Sequence, residues 1–152
     1  MKKLIIVAGS PNTGKTCTTN IIIKNLIKSG YKIDKSFYNN FWDKLDNNDN
    51  PTSVGDIILS KNGKKVFVIS HGDIVDNINN SFTHVNIDLV DTVVCCSHAT
   101  RGKKVFQWFY DFISNINPKD TQIIPIYKNL LCHYSRLNEE NCQLAEFIQT
   151  LI

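Results

Sequence analysis

An α/β fold built on a mixed sheet is what this chain predicts, and three observations carry the prediction. A short apolar run, Leu4 to Ala8, leads through a glycine-containing loop into a stretch of helical periodicity. Two β-rich runs flank Lys61-Asn62-Gly63, and Asn-Gly between such runs is the strongest short hairpin signal. Beyond the hairpin, apolar strand-like runs keep alternating with helical ones.

The elements follow in order. Residues 3 to 9 read as a buried strand, and Lys15 to about Lys28 as a helix with Ile21, Ile22, Ile23, Leu26 and Ile27 among its apolar positions and Gly30 as its stop. In Ser36 to Gly55 the helical spacing of Phe37, Phe41 and Leu45 predicts a short helix, and the run Asp46 to Pro51 an exposed loop. Asp56 to Ser60 and Lys64 to Ser70 are the hairpin strands. Ile74, Val75, Ile78 and Phe82 give a weak helix, and Thr92 to Cys96 a buried strand. Val105, Phe106, Trp108, Phe109, Phe112, Ile113 and Ile116 mark an apolar helix face that Pro118 ends. Gln122 to Tyr127 reads as a last strand. Asn138 can cap a final helix carrying Glu139 and Glu140 in its first turn and Leu144, Ile148 and Leu151 at helical spacing.

With 152 residues the expectation is one domain, 1–152, able to bury a core but too short for a second domain. The formal charge of +3 is spread over scattered lysines, so nucleic-acid binding is not indicated. Leu4 to Ala8 is too short to span a bilayer and lacks a signal-peptide cleavage pattern, which predicts no membrane association and a cytoplasmic location. Five cysteines without a Cys-x-x-Cys pair predict reduced thiols, with Cys95 and Cys96 in a strand.

The informative motif is Gly9-Ser10-Pro11-Asn12-Thr13-Gly14-Lys15-Thr16, which fits Gly-x-x-x-x-Gly-Lys-[Ser/Thr] between a strand and a helix. Glycines let backbone N–H groups curl around an anion, and the helix that follows presents its positive end. A lysine at the place of Lys15 reaches the β/γ-phosphates, a hydroxyl at that of Thr16 ligates Mg²⁺, and Cys17 follows close to the bound phosphate.

On these residues the chain resembles the P-loop NTPases, and more loosely the small ATP-binding, kinase-like P-loop proteins of bacterial or phage type. The specific part of the likeness covers about the first thirty residues. It implies a three-layer P-loop NTPase fold, mostly parallel, with the antiparallel hairpin as an addition and the nucleotide at the carboxyl ends of the strands. It also implies that Gly9, Gly14, Lys15 and Thr16 are ligands of ATP or GTP with Mg²⁺, while Ser10, Pro11, Asn12 and Thr13 contribute backbone.

Ligands in doubly wound sheets lie outside the carboxyl ends of the strands, so the segments after each strand hold the remaining candidates. Asp73, in Ser70-His71-Gly72-Asp73, is either a magnesium-organising acid or an N-cap for the residues from Ile74; it stands three residues later than the acid that usually ends the strand. Arg101, in Ser97 to Gly102, either contacts phosphate and supports transfer together with the polar Ser97 and Thr100, or is a surface arginine. His71 and His98 follow two strands and are read as polar loop residues before a metal or acid/base pair. Tyr31, Phe37, Tyr38, Phe41 and Trp42 are read as packing residues before a base-stacking set.

These features predict a Mg²⁺-dependent P-loop ATPase or small-molecule or nucleotide kinase, with Lys15, Asp73 and Arg101 as the catalytic set. A GTPase-like switch would echo the hairpin layout, but the guanine-reading Asn-Lys-x-Asp motif is absent from the sequence. A nucleotide-dependent interaction module with little turnover, acting through a small-molecule or protein partner, is the third class.

Overall fold

The computed structural model describes residues 1–10, 12–37, 56–70, 75–98, 111, 120–128 and 136–152. Strands β1 (Lys3–Gly9), β2 (Lys32–Ser36), β3 (Ile57–Lys61), β4 (Lys64–Ile69), β5 (Thr92–His98) and β6 (Gln122–Lys128) form one sheet in the order β2-β3-β4-β5-β1-β6. Neighbours β4, β5, β1 and β6 are parallel, whereas β3 pairs antiparallel with both β2 and β4. The predicted α/β class and hairpin are therefore present. At the hairpin tip, Asn62 and Gly63 both take positive φ, as a tight two-residue turn between right-twisted strands requires.

Helices α1 (Lys15–Lys28), α2 (Val75–Thr83) and α3 (Leu137–Leu151) complete the described elements, with a short 3₁₀ turn at Ile87–Leu89. The Gly30 amide bonds the Ile27 carbonyl and the Tyr31 amide the Leu26 carbonyl, a Schellman closure of α1 that needs the left-handed φ of 91° at Gly30.

Alternate residues of the central strands feed two cores. Leu4, Ile6, Phe67, Ile69, Val93 and Cys95 pack with Ile78 and Phe82 of α2 and with Val85, Ile87 and Val90. Ile5, Val7, Val66, Val68 and Val94 pack with Ile22, Ile23 and Leu26 of α1 and with Ala145 and Ile148 of α3. Burial on both faces is why β1, β4 and β5 read as continuous apolar runs.

Three expectations are corrected. Lys32–Ser36, polar except for the exposed Ile33, is the outer strand β2, and Phe37 continues it by donating its N–H to the Asp56 carbonyl, so the predicted helix does not begin at Ser36. The last helix starts at Leu137 with Arg136 in the N-cap position and no side-chain cap, which puts Asn138 inside the first turn. The strand predicted over Thr92 to Cys96 runs on to His98. The remainder of the Ser36–Gly55 segment, from Tyr38, and the helix predicted between Lys103 and Asn115, apart from Asp111, lie outside the described residues. None of the described helices is long and apolar enough to cross a membrane.

Candidate functional site

The carboxyl ends of β5, β1 and β6 lie level, because Gly9 is in register with His98 on one side and Lys128 on the other. The chain turns out of the sheet at Gly9 with no room for a side chain. A Cβ there would be driven into the Lys128 carbonyl oxygen and would stand 2.8 Å from Thr13 Oγ1. The strand contact thus demands glycine independently of any ligand.

Past Gly9 the loop closes on one acceptor. The Ser10 carbonyl accepts from Thr13 Oγ1 and from Lys15 Nζ, both at 2.9 Å. Asn12 (φ 61°) and Gly14 (φ 80°) are left-handed, with Thr13 at negative φ between them. Alternation of this kind turns successive N–H groups toward a common centre and makes an anion-binding concavity. Gly14 is also the N-cap of α1, and the first helical bond runs from the Thr18 amide to its carbonyl at 2.9 Å. The N–H groups of the first turn, Lys15 to Cys17, consequently have no intrahelical acceptor.

Lys15 is buried, 6% exposed, with its ammonium held beside the Ser10 carbonyl. Thr16 and Cys17 are half-buried on the first turn. Of the predicted binding residues, Gly9, Ser10, Asn12, Thr13, Gly14, Lys15, Thr16 and Cys17 are brought together; Pro11 lies outside the described residues, as do Asp73, Arg101, His71 and Thr100. Of the metal ligands expected from sequence only Thr16 is among the described residues, and those residues contain no group of three or more His, Cys, Asp or Glu side chains that could hold a metal ion.

Two strand exits flank this loop at different distances. β5 separates β4 from β1, so the chain leaving β4 toward Asp73 starts about two strand spacings, roughly 10 Å, from the loop strand. The β5 exit is immediately adjacent. There Ser97, paired in register with Ala8, is fully buried, and its hydroxyl finds no hydrogen-bond partner among the described residues. A buried hydroxyl left without a partner costs free energy that a ligand oxygen can recover.

Sequence reasoning missed three further residues. Asp56, buried just ahead of β3, accepts from the Ser70 amide at 3.3 Å and from the Ser81 hydroxyl, tying the hairpin to α2. Lys128 is buried at the end of β6, level with Gly9. Asn141 of α3 is buried against Gly14 and Thr18. A lone Asp before a strand, a Lys ending one and an Asn in an amphipathic helix carry no local signal; only the tertiary pairing brings them here.

The packing reading holds for the described aromatic residues. Phe37 lies 6.0 Å from the Phe67 ring and 6.2 Å from His84, and Tyr31 packs against the α1 side of the core. Tyr38, Phe41 and Trp42 are outside the described residues. The described cysteines, Cys17, Cys95, Cys96 and Cys142, are free thiols. Burial, with smaller contributions from Cys96 and Asp56, pushes the Cys95 thiol well above the usual range. Comparison of the chain with protein-family models, curated proteins and solved structures finds no match.

Proposed function

We propose that this chain binds a nucleoside triphosphate, ATP in preference to GTP, with Mg²⁺ at Gly9–Thr16, and hydrolyses it or transfers its terminal phosphoryl group. The observation that carries the reading is the loop itself: a left-handed turn at Asn12 and Gly14, an ammonium and a hydroxyl gathered on the Ser10 carbonyl, and first-turn helix N–H groups without an intrahelical acceptor. The sheet with α2 on one face and α1 and α3 on the other supports assigning it to the three-layer P-loop architecture.

In this reading the first-turn N–H groups of α1 bind the phosphate oxygens, and Lys15 exchanges the Ser10 carbonyl for the β/γ-phosphates. The Thr16 hydroxyl is a ligand for Mg²⁺, which when bound offsets charge on the β- and γ-oxygens. Ser97, whose hydroxyl has no partner among the described residues, offers it from the adjacent strand end. Asp73 and Arg101 remain the proposed metal-organising acid and transfer-assisting cation. Catalysis would then be positioning and electrostatics, as phosphoryl transfer requires. Cytoplasmic residence fits the same reading.

The test is thermal stabilisation by MgATP, MgGTP and MgADP, followed by turnover on whichever stabilises most. A ligand that binds only the folded state must raise the melting temperature by mass action. Folded Lys15→Ala should lose at least tenfold in triphosphate affinity. Unchanged affinity in that variant would place the nucleotide elsewhere, and an order-of-magnitude preference for GTP would move the protein to the switch class.

A further inference from the structure

The C-terminal helix touches the Gly9–Thr16 loop from behind, through one polar side chain. Asn141 is 1% exposed, and a Cβ built on Gly14 would stand 2.5 Å from its Oδ1 and 2.9 Å from its Nδ2. The Thr18 hydroxyl lies 3.1 Å from the Gly14 carbonyl and 3.3 Å from Asn141 Oδ1, so its single proton is shared between the loop and α3. This contact joins residues separated by 123 positions in the chain.

The surroundings make the asparagine conspicuous. The middle of the α1–α3 interface is an apolar cluster, with Ile22, Ile23 and Leu26 packed with Ala145 and Ile148. Packing that interface needs no amide, and a buried amide carries a desolvation cost unless it is bonded. What an amide supplies is register: apolar side chains tolerate sliding, whereas the bond to Thr18 is made at one position only. At the far end of the interface, Gln149 donates to Ser29 Oγ at 2.8 Å and Lys3 Nζ to the Leu151 carbonyl at 2.6 Å. α3 is therefore pinned at both ends of α1, and the end bearing Asn141 is the one at the loop.

We propose that Asn141 is a positioning residue for the Gly9–Thr16 loop. Its amide backs the left-handed turn at Gly14 and, with Thr18, holds the Gly14 carbonyl, which fixes the direction in which the N–H groups after Gly14 point. Affinity for the triphosphate then depends on the docking of α3, so a protein or ligand that lifts this helix would loosen the nucleotide. The inference rests on reading the loop as a triphosphate site.

The experiment measures the Kd for MgATP by titration calorimetry, with the full chain, at a temperature where circular dichroism shows every variant folded. Asn141→Ala is compared with Ile148→Ala, which removes packing from the same interface two turns away without touching the loop. The expected result is a split: Asn141→Ala raises Kd at least tenfold, while Ile148→Ala lowers the melting temperature as much or more and leaves Kd within twofold of wild type. Thr18→Val deletes the same contact from α1 and should raise Kd similarly, with a double variant no worse than the larger single effect. Thr18→Val also decides the matter if Asn141→Ala does not fold. Wild-type Kd in Asn141→Ala or in Thr18→Val, or an equal rise in Ile148→Ala, overturns the proposal while leaving the loop assignment standing. A wild-type chain that binds neither MgATP nor MgGTP overturns the loop assignment and this inference with it.

Discussion

The Lys65 backbone N–H donates to Asp91 Oδ2 at 2.9 Å, joining the start of β4 to the residue that leads into β5. On the other side of the same carboxylate, the Lys2 ammonium stands 3.3 Å from Oδ1, and the Asp91 carbonyl accepts from the Lys2 and Lys3 amides. One aspartate thereby gathers the amino ends of three parallel strands, at the end of the sheet opposite the Gly9–Thr16 loop.

The Lys65 amide first, and Lys2 after it, hold the Asp91 carboxyl below its ordinary value of 3.8 against the opposing effect of burial. The charged form is the one the fold favours. Its stabilisation is complete above the ordinary carboxylate value and is lost as the pH falls through the lowered one. Asp91→Asn should lower the melting temperature by a few degrees at pH 7, and the gap to wild type should close as the pH drops below the ordinary value. Thermal unfolding followed from pH 7 to pH 2 checks this; a gap independent of pH would mean that charge is irrelevant at Asp91.

Gly14 and Gly30 separate backbone strain from space. Both have left-handed φ, but the nearest atoms to a Cβ at Gly30 are 3.8 Å away, whereas at Gly14 the Asn141 amide is in the way. Gly30→Ala should cost about 1–2 kcal/mol, the usual penalty for a side chain in that region. Gly14→Ala adds overpacking worth about 1–3 kcal/mol more, so urea unfolding should rank it clearly the less stable. Equal losses would show that the Asn141 contact yields freely.

Thiol labelling resolved by peptide mass spectrometry should rank the described cysteines by exposure. Exposed Cys142 reacts first and half-buried Cys17 more slowly, while buried Cys95 and Cys96 react only after unfolding. Saturating MgATP should slow Cys17 by more than tenfold and leave Cys142 unaffected, since Cys17 directly follows Thr16 on the first turn of α1. Protection of Cys142 alone would relocate the ligand to α3.

Ser97→Ala tests the unpartnered hydroxyl. Because Ser97 Oγ has no partner among the described residues, its removal should leave stability unchanged or raise it by about 1 kcal/mol. Turnover should nevertheless fall about tenfold if the hydroxyl meets nucleotide or attacking water. A variant as active as wild type would return Ser97 to the sheet as a packing residue.

The parts of the fold that were legible in the sequence are those where local chemistry and tertiary context agree. Leu4–Ala8 and Thr92–Cys96 are apolar because both faces of those strands are covered, and Asn62-Gly63 turns because its backbone must. β2 was not legible: an outermost strand, largely exposed, is free to be Lys-Ile-Asp-Lys-Ser, and its lysines discourage edge pairing. The loop was readable as a motif because its spelling is dictated within eight residues. Lys128 and Asn141 were not, since their places beside Gly9 and Gly14 are set by the pairing of β6 and the docking of α3.

The order of pairing around β1 has a consequence for how the chain is made. β1 is the second strand from the edge, yet its partners are the last two of the described strands, β5 from Thr92 and β6 from Gln122. At ordinary synthesis rates of about 5–20 residues per second, β1 and the helix α1 that covers one of its faces emerge seconds before the strands that pair with β1. Meanwhile the hairpin β3–β4 can close at once. Completion of the sheet around β1 is therefore a late event in synthesis, and a pause before β5 should prolong the interval in which β1 lacks both strand neighbours.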